Sequence, residues 1–343
     1  MRAAWHGAAP CPTGFRTRPA GHRRRRQRRQ RRQQGGERDR SRQAEGGSGT
    51  HPGARPRCVP SWAAHGPTPG EDMNHASPAP ASPGLRPHTA RLYDYFLGGK
   101  TNYGVDRKLA TEALSLYPNT MVAARHNRAF MHRVVRYLGR EAGLCQFLDI
   151  GTGIPTEPNL HQVAQREHPE ARVVYSDNDP IVLAHARALM TGSPEGATDY
   201  VEADVRDPEL ILEHAGRTLD FDRPVALSLI ALMHFVGDAD DPFGIVRRLV
   251  DALPSGSALA LSHATLELDP GLQKVADAYG RQGLEVRLRD HEQVLGFFSG
   301  LELVEPGLVA TCDWRPELDD SPQDADMVDR SEVGVWAALG IKP

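Results

Sequence analysis

The sequence predicts an α/β protein: a doubly wound, mostly parallel sheet preceded by a helical segment. Short apolar runs at 145–150, 172–176, 199–203, 224–230 and 257–262 recur at intervals of about one strand-helix unit. Each is followed by a longer helix-like stretch, and strands alternating with helices form parallel sheets covered on both faces. Asp-Pro pairs at 179–180, 207–208, 241–242 and 269–270 punctuate the pattern. An aspartate at the N-cap accepts from free amides, and a proline at the first helical position loses no bond. Asp179, Asp207, Asp241 and Asp269 therefore read as helix caps. Upstream, Thr89 to Leu97 reads as a short helix stopped by Gly98-Gly99, Asp106 to Tyr117 as a second, and Asn119 to Gly139 as a third. Leu301–Val304 and Glu332–Leu339 are the expected last strands, the final one an antiparallel edge.

Of 343 residues, 39% are hydrophobic and 25% charged, ordinary values for a globular chain. The net charge of −3 conceals an asymmetry. Residues 1–72 hold 16 Arg against 5 acids (+11), which leaves −14 for the rest. This Arg-, Gly- and Pro-rich stretch has no apolar periodicity and is expected to be disordered. Met73 reads as a natural start, and the 37 Arg against 4 Lys in the chain point to a GC-rich gene, whose upstream text translates into such composition. Three segments follow: a basic arm at 1–72, a Pro-rich leader with a helical cap at 73–143, and a ligand-binding α/β domain at 144–343. The acidic body argues against nucleic acid as a partner of the folded part, since phosphates require clustered Lys/Arg. The longest apolar stretch, Val225 to Val236, is twelve residues and includes His234; a membrane helix needs about 20. The four cysteines form no CxxC pair, which supports neither a zinc site nor a disulfide framework. With no apolar segment after the N-terminal arginines, a reducing cytoplasm is the expected location.

Three acids lie at or just past successive strand ends without a following proline: Asp149, Asp177 and Asp204. Ligands of open parallel sheets bind at the carboxyl ends of the strands, so these acids should line one crevice. The first strand runs into LDIGTGIPT, where Gly151 and Gly153 permit a tight turn and a close approach of backbone to ligand. A dinucleotide site wants G-x-G-x-x-G. Here the sixth position is Thr156, Pro155 removes an amide, and Asp149 is ill placed beside a diphosphate. The carboxylate suits an ammonium and a sulfonium instead, as in S-adenosyl-L-methionine (SAM). Asp177 can accept from both ribose hydroxyls, Asn178 can flank the adenine, and Asp204 with the Val205 amide can meet the adenine edge.

The segments ARLYDYFLGGKTNYGVDR (90–107), ARHNRAF (124–130) and FLDIGTGIPT (147–156) resemble a bacterial family of class I SAM-dependent methyltransferases, the S-adenosyl methyltransferase family, formerly catalogued as a domain of unknown function. The resemblance spans about residues 86–343. It implies a seven-stranded Rossmann-like sheet with an N-terminal helical cap, SAM as methyl donor, Gly151/Gly153 as the glycine loop, Asp177 as the ribose acid and Asp204 as the adenine acid. Pro155 departs from the common class I pattern, in which a third small residue follows.

Other residues admit two readings. His234, just past the fourth strand, is a candidate general base oriented by Asp238, or else a packed histidine; His263 is a weaker candidate of the same kind. Asn102 and Tyr103, in a loop after Gly98-Gly99, are expected to close over the cofactor as a lid, whereas Tyr95 and Phe96 are expected to pack. Arg128 and Arg125, on the third helix, offer a bidentate donor for the SAM carboxylate, or else form a solvated helix face. The leading function is methyl transfer to a small-molecule acceptor. The alternatives are a non-catalytic SAM-binding sensor or scaffold, and an NAD(P)-dependent oxidoreductase.

Overall fold

A computed structural model of the chain describes residues 86–319 and 328–343. The expectations for the basic arm, the start at Met73 and most of the Pro-rich leader lie outside them.

Three helices open the described chain: α1 (Thr89–Phe96), α2 (Gly104–Leu116) and α3 (Thr120–Arg140). α1 ends in a Schellman motif. Gly98 takes φ 81°, its amide reaches the Tyr95 carbonyl, and the Gly99 amide reaches the Asp94 carbonyl at 2.8 Å. β1 (Gln146–Ile150), α4 (Leu160–Glu167), β2 (Arg172–Asp177), α5 (Pro180–Leu189), β3 (Ala197–Glu202) and α6 (Pro208–Ala215) then alternate. They are followed by β4 (Ala226–Leu229), α7 (Pro242–Asp251), β5 (Ala258–Ala264), α8 (Leu272–Gly280) and α9 (His291–Gly296). Three of the Asp-Pro pairs cap helices as expected: Asp179, Asp207 and Asp241 accept from the amides of Ile181, Leu210 and Gly244. Asp269 does not cap a helix. It accepts from the Gly271 amide at 2.7 Å in a turn ahead of α8, whose N-cap is Gly271.

The sheet order is β3-β2-β1-β4-β5-β8-β6, with β6 at Glu302–Leu303 and β8 at Val335–Ile341. A two-residue β7 (Val309–Ala310) also pairs with β8, so the seven-strand path carries an eighth strand. β1 to β5 are mutually parallel, and β8 is antiparallel to β5 and β6. The expected edge position of the last strand is corrected: β8 lies between β5 and β6, and Ala337, Ala338 and Leu339 are fully buried. Strand order is set by pairing between distant segments, which local pattern does not report.

Alternation along the strands divides the core. Leu148, Val174, Leu227 and Leu259 face α6 and α7, whereas Phe147, Val173, Ala226 and Ala258 face α3 and α4. A third cluster joins α1, α2 and α8 through Leu92, Phe96, Leu109, Val275 and Tyr279. It holds the helical cap over the carboxyl ends of the strands.

Candidate functional site

β1 and β4 are adjacent, while β2 and β3 extend to one side and β5 to the other. This is the switch point at which an open α/β sheet leaves a crevice. A cavity of about 510 Å³ opens there, and Asp149, Gly151, Gly153, Asp177, Asn178, Asp204, Val205, Arg128 and His234 all line it.

The glycine turn is built by positive φ, 74° at Gly151 and 69° at Gly153, conformations that residues with a Cβ rarely adopt. At Gly151 there is also no room: a Cβ would come within 2.7 Å of Leu232 Cδ1. The turn is tied to β2. The Gly151 and Thr152 amides donate to the Ser176 carbonyl at 2.8 and 3.3 Å, and the Gly153 amide donates to Asp177 Oδ2 at 2.9 Å. α4 begins only at Leu160, behind an Asn159–Gln162 capping box. The amides of Gly151, Thr152 and Gly153 are thus committed to the protein, and the helix after β1 starts well beyond the turn, so a diphosphate would find these donors already taken.

Each acid has a distinct environment. Burial pushes Asp149 up to about 6, with the Asp177 charge adding to the rise and the Arg128 guanidinium opposing it. Burial also raises Asp177, against the pull of the Asp179 and Gly153 amides. For Asp204 the partial burial that would raise it is outweighed, and its carboxyl is held below the usual range. The Arg206 amide donates to it at 2.9 Å, Asn178 Nδ2 at 2.7 Å and Arg206 Nη1 at 3.1 Å. Arg128 comes from α3. Its Nη2 donates to the carbonyls of Thr156 and Pro158, and its buried Nε has no partner among the described residues. Arg125, the rival candidate, is exposed and does not line the cavity. The Arg128 guanidinium, the half-buried Asp149, the buried Asp177 and the partly exposed Asp204, around a turn whose Gly151, Thr152 and Gly153 amides are engaged, fit an adenosyl-sulfonium ligand.

The cap differs from expectation. Leu92, Tyr93 and Phe96 of α1 line the cavity, whereas Asn102 and Tyr103 do not. Asn102 is buried in its own turn, donating to Asp94 Oδ2 at 2.7 Å and to the Gly99 carbonyl at 3.1 Å. Tyr103 is the N-cap residue of α2, 44% exposed, with the Arg91 guanidinium over its ring. The Schellman turn leads the chain away from the mouth, so the preceding helix forms the roof and the loop does not.

His234 is 8% exposed, and its Nδ1 accepts from the Ala264 amide at 3.4 Å. A neutral ring so bonded carries its proton on Nε2. Burial, and then the charge of Arg289, push His234 down to about 3. Asp238 does not orient it. That carboxylate is paired with Arg289 at 2.7 Å and Arg287 at 2.9 Å. His263 lies beneath, fully buried and away from the cavity lining. Its Nε2 takes a hydrogen bond from Arg289 at 3.1 Å and its Nδ1 donates to the Ala264 carbonyl at 2.8 Å. Arg289 is the hub: it also donates to the Met233 and Val236 carbonyls and so braces the segment after β4.

Two groups escape a sequence reading. The first is a buried ion cluster: Arg91 of α1 meets Asp106 at 2.9 Å and Asp179 at 2.7 Å, with all three side chains at most 5% exposed. Asp179 is therefore a cap that also holds the roof to the β2–α5 turn. The second is the face of α8 that lines the cavity through Leu272, Val275, Ala276 and Tyr279. Its i, i+3, i+4, i+7 spacing was a visible signal, but one shared by any core helix.

Comparisons agree with this geometry. The family model described as S-adenosyl methyltransferase matches residues 81–343. A DUF574-family protein from Streptomyces avermitilis is 48% identical, with 76% of this chain and 99% of that chain covered and a TM-score of 0.73. A candidate methyltransferase from Thermobifida fusca is 42% identical, with 75% and 95% covered and a TM-score of 0.68. No curated protein matches the chain. With three-quarters of its length matched by the family model and a cavity suited to an adenosyl-sulfonium, the chain belongs to the S-adenosyl methyltransferase family, enzymes whose cofactor is S-adenosyl-L-methionine.

Proposed function

We propose that the protein transfers a methyl group from SAM to a small molecule held in the same cavity, beneath the α1 roof. The observation that carries this is the cavity's mixed lining: the strand-end acids share it with largely apolar residues of α1, α8 and 284–288. Arg128 would take the cofactor's carboxylate and Asp149 its ammonium. Asp177 would take the ribose hydroxyls, and Asn178, Asp204 and Val205 the adenine. Bound there, the cofactor would supply an electrophilic methyl group. The chain's own contribution is alignment and exclusion of water. The roof is fastened by Arg91 to Asp179, two residues beyond the ribose acid, so cofactor contact and roof position share one turn. Residues 86–143 thus act as a cap on the catalytic domain.

Titration calorimetry with SAM and with NADH tests the cofactor side, and SAM alone should bind. Incubation with SAM and a small-molecule extract should accumulate S-adenosylhomocysteine. Binding of NADH in preference to SAM would overturn the assignment, and tight SAM binding without turnover on any extract would identify a sensor instead.

A further inference from the structure

The part of the cavity lining formed by α1, Phe235, α8 and residues 284–288 has its own chemistry. Its aromatic members, Tyr93, Phe96, Phe235 and Tyr279, belong to one apolar cluster. The arginines that line the cavity are engaged. Arg206 is paired with Asp204 and Asp240 and also donates to the Phe235 carbonyl at 3.2 Å, and Arg128 holds the Thr156 and Pro158 carbonyls. Residues 284–288 contribute one charged side chain to the lining, the carboxylate of Glu285. It rests against Gly237, where a Cβ would come within 2.1 Å of Glu285 Oε1; the glycine makes its room.

Extending the reading above, on which this rests, we propose that the acceptor is an apolar molecule that presents a neutral nitrogen lone pair, and that the aromatic wall and Glu285 hold its cationic methylated product. In this step the lone pair forms the new N–CH3 bond while the S–CH3 bond breaks and its electron pair stays on sulfur. Positive charge passes from sulfur to nitrogen, and a nitrogen that bore a hydrogen then releases it to water.

Two observations favour nitrogen over an acidic oxygen. A hydroxyl acceptor must lose its proton, and His234 is not placed to take it. The Ala264 amide occupies Nδ1, the proton sits on Nε2, and His263 and the cationic Arg289 lie behind the ring. Burial and Arg289 keep that ring neutral. A carboxylate acceptor would meet the Glu285 carboxylate and find the lining arginines already committed to Asp204, Asp240 and backbone carbonyls, a costly burial. Aromatic faces, by contrast, attract a cation, most strongly when it is desolvated.

The test uses bicyclic probes of one shape: isoquinoline, 2-methylisoquinolinium, 2-naphthol and 2-naphthoate. Each is titrated calorimetrically into the full chain saturated with S-adenosylhomocysteine. The cation 2-methylisoquinolinium should bind at least about fivefold tighter than 2-naphthoate, and isoquinoline should bind tighter than 2-naphthol. Glu285→Gln, at an exposed position, should erase most of the preference for the cation while the affinity for S-adenosylhomocysteine stays unchanged. Any other ranking, including no binding of any probe to the saturated protein, overturns the proposal. Failure to bind S-adenosylhomocysteine in the first titration overturns the cofactor reading beneath it.

Discussion

The amide of Gly153 donates to Asp177 Oδ2 at 2.9 Å, and the other oxygen of the same carboxylate accepts from the Asp179 amide at 2.9 Å. One buried side chain thereby ties the glycine turn to the start of α5. Asp177→Ala should weaken SAM binding at least about tenfold, since bonds to a charged partner contribute about 1.5–3 kcal/mol each. Calorimetric titration checks this, and an unchanged dissociation constant would remove Asp177 from the cofactor site.

Asp179→Ala should act on the roof. It leaves Arg91 buried with Asp106 as its remaining carboxylate partner, and breaking a buried pair costs about 3–5 kcal/mol. That is well above the ~1 kcal/mol of a lost cap. The expected outcome is a fall of several degrees or more in Tm, with faster amide exchange in α1. A loss no larger than a cap's would show that Asp106 suffices to hold the roof.

The two glycines of the turn should respond differently. Both adopt positive φ, so alanine costs about 1–2 kcal/mol of strain at each. Gly153→Ala meets open space, whereas Gly151→Ala must also displace Leu232, which lines the cavity. SAM affinity should fall further in Gly151→Ala than in Gly153→Ala at similar Tm. Equal affinities would mean that Leu232 yields without touching the ligand.

Asp149 sets a pH dependence. Burial pushes its carboxyl up to about 6 in the folded chain, from an ordinary 3.8. Between these values the folded state holds a proton that the unfolded chain has lost, so this group's contribution to stability declines as pH rises through that window. Ligand binding runs the other way, because the ionised form attracts the ammonium and sulfonium. SAM affinity should climb as pH rises through about 6 and level off once Asp149 is ionised. Calorimetry across this range checks it, and Asp149→Asn should flatten the rise.

Much of the site was legible because it is local. The glycine turn and Asp149 sit within one stretch of chain, and Asp177, Asn178, Asp204 and Val205 follow at intervals of one strand-helix unit. Parallel strands in order bring such positions to one rim. Asn102 and Tyr103 were misplaced for want of the direction in which the chain leaves α1, a matter decided by the Schellman turn and Asn102's own bonds to Asp94 and Gly99.

By itself, then, the sequence determined the alternating strands, the glycine turn and the acids at their ends, because spacing of 2 and 3.6 residues and residue chemistry are properties of short segments. Tertiary structure alone decided what those residues feel. Arg91 finds Asp179 across 88 positions, burial, with Arg289 adding to it, keeps the His234 and His263 rings neutral, and β8 enters between β5 and β6. Burial and long-range pairing set charge state and strand order, and both depend on partners that no local window contains.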